Sequence, residues 1–110
     1  MSQALLVLTN LPDAATATTI AHRLIEQQLA ACINIVPQVQ SVYRWQGKIE
    51  TAAEATLLIK TTQARYAQLE AALKAAHPYE LPEIIAIPIS AALPAYLEWI
   101  DHETTKNPND

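Results

Sequence analysis

A short polar segment near the end of the chain carries the residue types best suited to binding a metal ion. His77, Tyr79, Glu80 and Glu83 lie close together in the sequence. An imidazole with nearby carboxylates is a donor set that suits copper or zinc. A histidine at the end of a helix can equally interact with the helix dipole. The sequence therefore leaves two interpretations of His77 open, a metal ligand and a helix cap.

Cys32 is a second candidate for chemistry, because it is the only cysteine. A reactive thiolate needs a cationic neighbour, and the residues beside Cys32 in the sequence do not supply one. Free cysteines are more often small, buried, apolar residues. We therefore expect Cys32 to have a packing role. A single cysteine also cannot form an internal disulfide, which is typical of a reducing compartment.

Several function classes are disfavoured by the sequence. Nothing in it places a serine or Cys32 beside His77 as a nucleophile, so we expect a protein that is not an enzyme. The net charge of −4 does not indicate nucleic-acid binding, which requires a basic surface. No apolar run reaches the roughly 18 residues of a membrane span. The start of the chain, Met-Ser-Gln, lacks the positive region of a signal peptide.

The element that must position these residues is a long β-hairpin over residues 31–60. β-branched and aromatic residues follow its first arm, and apolar residues alternate along its second arm. We predict a two-residue type I′ turn at Gln46 and Gly47, because glycine accepts a positive φ without steric cost. Pro37 predicts a bulge, since proline cannot donate to the ladder and the apolar phase shifts just after it.

The length of this hairpin predicts an oligomer. Each arm would span about 45 Å, whereas the predicted helices would span only about 21–24 Å. The chain is 51% hydrophobic and only 16% charged, so its surface should be rather apolar. Uncovered apolar strands aggregate unless another chain covers them. The predicted interface residues are Val42, Tyr43, Trp45 and Ile49.

The other elements complete the order β-α-β-β-α-β with one further helix. They are a strand over residues 3–9, a helix over residues 14–28, a helix ending at His77, a strand over residues 84–89 and a helix over residues 94–103. Asp13 and either Thr61 or Thr62 are the predicted N-caps. This is the α+β, ferredoxin-like plan, with a four-stranded antiparallel sheet and the first arm of the hairpin on an edge. We expect one domain over residues 1–110, with a frayed tail at 104–110.

The ferredoxin-like plan brings the metal candidates together. The end of the first strand, at Thr9 and Asn10, should lie near the start of the last strand. His77, Glu80 and Glu83 would then converge with Thr9 on one end of the sheet. Lys60 should lie near the opposite end.

Motifs along nearly the whole chain resemble one family, the CutA divalent-cation tolerance proteins. They are Pro12–Ala17, Leu29–Pro37, Ser41–Ile49, Ile59–Thr61, His77–Ile85 and Tyr96–Ile100. The resemblance implies a ferredoxin-like subunit in a compact homotrimer whose sheets continue between subunits. It also implies a cytoplasmic protein linked to copper and other divalent metals. Members with a described copper site carry a cysteine where Thr9 stands and a second histidine where Ala76 stands, so this chain matches that pattern only at His77.

The preferred hypothesis is a non-enzymatic, cytoplasmic, trimeric protein that binds copper or another divalent cation through His77, Glu80 and Glu83. One alternative is a signalling module like the trimeric PII regulators, which share the subunit plan and bind effectors between chains. That alternative is based only on the similarity of the fold. Another is a structural scaffold for a partner protein.

Overall fold

The computed structural model describes residues 2–105 and contains one antiparallel sheet with three helices. In chain order the elements are β1 (Ala4–Leu11), α1 (Ala14–Glu26), β2 (Cys32–Trp45), β3 (Lys48–Thr62), α2 (Gln63–Ala76), β4 (Ile85–Pro88) and α3 (Pro94–Thr104). The strand order is β2-β3-β1-β4. The predicted α+β, ferredoxin-like arrangement is therefore confirmed, with β2 on one edge and β4 on the other.

The β2–β3 hairpin has the predicted turn and bulge. Gln46 and Gly47 both have positive φ, of 51° and 82°, as a type I′ turn requires. The pairing register shifts between Val36 and Val39, so Pro37 lies in a bulge. The two arms of the hairpin have 14 and 15 residues, and the helices α1 and α2 have 13 and 14 residues. The arms are nevertheless much longer than the helices, because a helix rises less than half as far per residue as a strand does.

The main core lies between one face of the sheet and the helices α1 and α2. Alternate residues of β1 and β3 point into it, as the period of two in a strand requires. The fully buried side chains of this core include Val7, Leu11, Leu57, Ile59, Leu69 and Leu73. The length of α1 and α2, and not the length of the hairpin, limits how much of the sheet the core covers.

The third helix packs against β3 and β1. Its Ile100 is buried, and its Tyr96 lies beside Cys32 of β2. Thr104 still belongs to the helix, because its hydroxyl donates to the carbonyl of Ile100 at 2.8 Å and its side chain is buried. The frayed tail was expected to begin at this residue, and the helix instead includes it. Residues 106–110 of that expected tail lie outside the described residues.

The end of α1 differs from the prediction and has a clear local cause. The helix ends at Glu26, where the periodicity indicated residue 28. Gln28 adopts a left-handed φ of 58°, and its N–H donates to the carbonyl of Ile25, while the N–H of Leu29 donates to that of Leu24. These two bonds form a Schellman motif, which closes the helix without glycine.

The two helix starts are capped in different ways. The Asp13 carboxylate accepts the N–H of Thr16 at 2.7 Å, as predicted, and this hydrogen bond lowers the pKa of Asp13. Thr62 occupies the N-cap position of α2 but makes no side-chain capping bond. The predicted N-cap position is therefore confirmed, but the threonine side chain does not cap the helix. The hydroxyl of Ser2 accepts the N–H of Ala64 instead, at 3.0 Å, so the residues before β1 cap this helix.

The outer part of the hairpin and the strand β4 leave apolar side chains uncovered in the single chain. Val42 is 67% exposed and Ile49 is 71% exposed. Tyr43 and Trp45 are also exposed, as are Ile85 and Ile87 of β4. These residues supply the surface on which the oligomer prediction depends, and the interface itself stays a prediction.

We predict that Gly47→Ala lowers the thermal midpoint of unfolding. The added methyl group would meet no atom within 4 Å, so the effect comes only from holding alanine at a left-handed φ, which costs about 1–2 kcal/mol. Differential scanning calorimetry at one fixed protein concentration measures this. Gln46→Asn is the matched control and should raise the midpoint, because asparagine tolerates the left-handed region better. Equal midpoints for the glycine and alanine proteins would contradict the turn assignment.

Candidate functional site

His77 connects the end of α2 to the first strand. It occupies the C-cap position with an extended backbone, because Pro78 disfavours helical geometry in the residue before it. Its Nε2 donates to the backbone carbonyl of Asn10 at 2.8 Å, and its Nδ1 accepts the N–H of Tyr79 at 3.2 Å. Both ring nitrogens therefore have protein partners.

The environment of His77 favours the neutral imidazole. Burial lowers the pKa of His77 below its ordinary value of 6.5, and this effect exceeds the opposing influence of the Asn10 carbonyl and the Glu54 carboxylate. A neutral ring interacts only weakly with a helix dipole. The structure therefore does not favour the interpretation in which His77 stabilises α2 through its dipole. The ring instead orients the segment that follows α2.

Tyr79 and Glu54 form a pair that the sequence analysis missed. The Tyr79 hydroxyl donates to Oε2 of Glu54 at 2.7 Å, and its ring lies 4.8 Å from that of His77. Burial, together with the Glu54 carboxylate, raises the pKa of Tyr79 above its usual range. Glu54 lies on β3 and is only 8% exposed. The signal for it was a carboxylate flanked by alanines, Ala53 and Ala55, in the middle of β3.

The carboxylates predicted as metal ligands lie on the surface. Glu80 and Glu83 are both exposed, whereas Thr9 is fully buried and its hydroxyl has no hydrogen-bond partner. Within residues 2–105, no group of three or more histidine, cysteine, aspartate or glutamate side chains is placed to hold one metal ion. The predicted ligands do not form a preformed site within the described part of one chain.

Glu80 and Glu83 border a cavity of about 710 Å³ on the sheet. We call it the acidic groove and define it by six of its lining residues, Tyr43, Trp45, Glu54, Tyr79, Glu80 and Glu83. The hairpin contributes one wall, and the segment after α2 contributes the other. The groove therefore joins two of the predicted metal ligands, Glu80 and Glu83, to two of the predicted interface residues, Tyr43 and Trp45.

Cys32 lies in a different part of the sheet. It pairs with Lys60 across the hairpin, and the Lys60 ammonium is 3.9 Å from the Cys32 thiol and also donates to Asn34. Strand pairing therefore supplies Cys32 with a cationic neighbour that its local sequence does not provide. Lys60 pairs with Leu6, far along β1 from Asn10, so its predicted separation from His77 is confirmed.

Comparison with known proteins relates the chain to one family. The family model described as CutA1 divalent ion tolerance protein matches residues 5–103. The divalent-cation tolerance protein CutA of Thermus thermophilus is 46% identical over 98 residues, which cover 89% of this chain and 95% of that protein. The chain belongs to the CutA1 family. The resemblance predicted from the motifs is confirmed.

Solved structures of CutA1-family proteins have the same fold. The crystal structure of CutA1 from Oryza sativa superposes with a TM-score of 0.92 at 39% identity, covering 96% of this chain and 97% of that one. The structure from Archaeoglobus fulgidus gives a TM-score of 0.90 at 38% identity, covering 93% and 99%. Both superpositions extend over nearly the whole chain.

The CutA1-family relatives differ in length and in the compartment that their names give. The chain spans 58% of the curated rice relative, which is called chloroplastic, and other plant and animal relatives are similarly long. The Archaeoglobus fulgidus protein is described as periplasmic. In residues 2–105 of this chain, none of the helices combines the length and the apolar character needed to cross a membrane.

We predict opposite results for two buried threonines of this CutA1-family protein. Thr9→Val should leave the free energy of unfolding unchanged or raise it, because the buried hydroxyl of Thr9 has no partner to lose. Thr61→Val should lower it by about 1–3 kcal/mol, because the Thr61 hydroxyl donates to the Leu29 carbonyl at 2.7 Å. Denaturant titration of both variants measures the difference. A destabilised Thr9→Val would show that its hydroxyl has a partner in the assembled protein.

Proposed function

We propose that this protein acts in tolerance of divalent cations as a cytoplasmic homotrimer that binds copper or another divalent ion and catalyses no reaction. The observation that carries this proposal is the family match over residues 5–103. The family's description names tolerance of divalent ions and no reaction. The single cysteine supports a reducing compartment such as the cytoplasm.

The trimer is supported by the surface that a single chain leaves uncovered. Val42 and Ile49 are mostly exposed near the end of the hairpin, beyond the reach of α1 and α2. The outer edge of β2 and the free edge of β4 also have unpaired backbone groups within the described residues, and such edges pair readily with other strands. Symmetric association would cover both kinds of surface.

The proposed metal ligands are His77, Glu80 and Glu83, with copper as the first metal to test. The neutral state favoured for His77 is the one that binds metals. To bind, its ring must exchange a hydrogen bond, either to Asn10 or from Tyr79, for the metal. Because one described chain places no three donors together, the proposal requires a donor from a neighbouring subunit or a shift of the segment after α2.

We predict that Cu(II) binds the tag-free trimer saturably at pH 7, at about one ion per chain or one per trimer. His77→Ala and Glu83→Gln should each weaken binding, because each removes a proposed donor. Isothermal titration calorimetry measures the affinity and the stoichiometry, and the stoichiometry shows whether a site lies within or between subunits.

His22→Ala is the matched control for this titration. His22 is an exposed histidine on α1, so its loss removes an imidazole without touching the proposed site. If the His77 and His22 variants bind copper as the unmodified protein does, His77 is not a ligand. Weak, unsaturable heat with the unmodified protein would reject the metal proposal itself.

We predict that Trp45→Ala weakens the trimer. Truncation of a buried aromatic residue typically costs about 3–5 kcal/mol, and the proposed interface would bury Trp45 in every subunit. Sedimentation equilibrium should show dissociation at concentrations where the unmodified protein stays trimeric. Ile25→Ala, a truncation of an exposed apolar residue on α1, serves as the control. An unchanged mass and melting temperature for Trp45→Ala would show that Trp45 is peripheral to the interface.

A further inference from the structure

The ring of His77 has one nitrogen that could bind a metal ion, and that nitrogen is covered. A carbonyl oxygen only accepts hydrogen bonds, so the contact of 2.8 Å between Nε2 and the Asn10 carbonyl fixes the proton of the neutral ring on Nε2. The lone pair is therefore on Nδ1, where the backbone N–H of Tyr79 donates to it at 3.2 Å. A metal ion needs that lone pair. While the bond to Asn10 is kept, Tyr79 must move before His77 can bind a metal ion.

The side chain of Tyr79 holds its backbone in this blocking position. Its hydroxyl donates to Oε2 of Glu54 at 2.7 Å, and its ring lies 4.8 Å from the His77 ring. The acceptor is a buried carboxylate, and a hydrogen bond to a charged group contributes more than one between neutral groups. We call the hydrogen bond between Tyr79 and Glu54 the latch. It joins the residue that covers Nδ1 to β3.

Little else fixes the segment that contains Tyr79. In the described part of the chain, no backbone–backbone hydrogen bond involves residues 78–83. Pro78 and Pro82 have no N–H to donate, and Leu81 is exposed. Segments with few hydrogen bonds and few buried contacts open at a low cost in free energy. Among the described hydrogen bonds, the latch is the one that joins this segment to the sheet.

We propose that the latch keeps His77 in a state that cannot bind a metal ion, and that opening of the latch exposes Nδ1. This inference rests on the proposed metal function and concerns its regulation. A ligand that binds only a minor conformation has an apparent affinity that is reduced in proportion to the population of that conformation. Removal of the latch should therefore strengthen metal binding at His77. A residue with a purely structural role would instead weaken binding or leave it unchanged when substituted.

The first test is a titration of Cu(II) into the intact, metal-free protein at pH 7. Tyr79→Phe removes the hydroxyl of the latch and keeps the ring, and it should lower the dissociation constant by roughly tenfold. Tyr66→Phe is the matched control, because the Tyr66 hydroxyl donates to Glu70 at 2.8 Å on α2. It removes the same kind of hydrogen bond and should leave the affinity unchanged. The gain should disappear in the double variant Tyr79→Phe, His77→Ala.

Hydrogen exchange followed by NMR tests the latch without any metal. The amide of residue 79, which donates to His77 Nδ1, should exchange roughly tenfold faster in Tyr79→Phe than in the unmodified protein. Tyr66→Phe should not change this rate. Glu54→Gln is a second variant for the case in which Tyr79→Phe does not fold, since its amide oxygen still accepts the hydroxyl but carries no charge. It should accelerate the same exchange by a smaller factor.

Three results would overturn the proposal. The first is an unchanged exchange rate for the amide of residue 79 in Tyr79→Phe. The second is Cu(II) binding that is not strengthened by Tyr79→Phe, or that is strengthened equally by Tyr66→Phe. The third is a changed oligomeric mass in Tyr79→Phe, because the altered affinity would then come from assembly.

Failure of the proposed metal function would look different from failure of the latch. In that case neither the unmodified protein nor Tyr79→Phe would bind Cu(II) saturably, while the amide of residue 79 would still exchange faster in the variant. That result would overturn the regulatory part of the proposal and support the latch as the attachment of the segment.

Discussion

The pairing of β2 with β3 is the constraint on which the rest of this structure depends. The ladder runs from Cys32 and Lys60 to Trp45 and Lys48, which makes the hairpin longer than the two helices that pack on the sheet. Helices rise about 1.5 Å per residue and strands about 3.3 Å, so helices with similar residue counts cannot cover it. The uncovered end supplies both the surface for association and one wall of the acidic groove.

Hydrogen bonds between distant segments hold the other wall of the acidic groove in place. His77 bonds to Asn10 of β1, and Tyr79 bonds to Glu54 of β3, so the segment after α2 is held against two strands. The same segment occupies both ring nitrogens of His77 and gives the buried Glu54 carboxylate a hydrogen bond from the Tyr79 hydroxyl. The CutA1 family is described by its tolerance of divalent ions, and in this member the buried acidic group is Glu54, not one of the carboxylates beside His77 in the sequence.

Features encoded over a few residues were predictable. The turn followed from Gly47, and the bulge followed from Pro37 and the phase of the apolar pattern. The N-cap position of α2 was predicted, but the side chain that caps the helix was not, because Ser2 reaches it from 62 residues away. The Tyr79–Glu54 pair spans 25 residues, and the contact between Lys60 and Cys32 spans 28. Such contacts follow from the packing of distant segments against one another, which no single segment specifies.

The sequence by itself therefore determined the elements, their order and the sheet they form, because hydrophobic period, proline and glycine act locally. It also determined the family, through motifs spread from Pro12 to Ile100. Only the tertiary structure decided which polar groups meet. Burial of Glu54, the neutral state favoured for His77 and the ammonium beside Cys32 each depend on strands brought together by the fold, since a side chain's charge and partners are set by its neighbours in space.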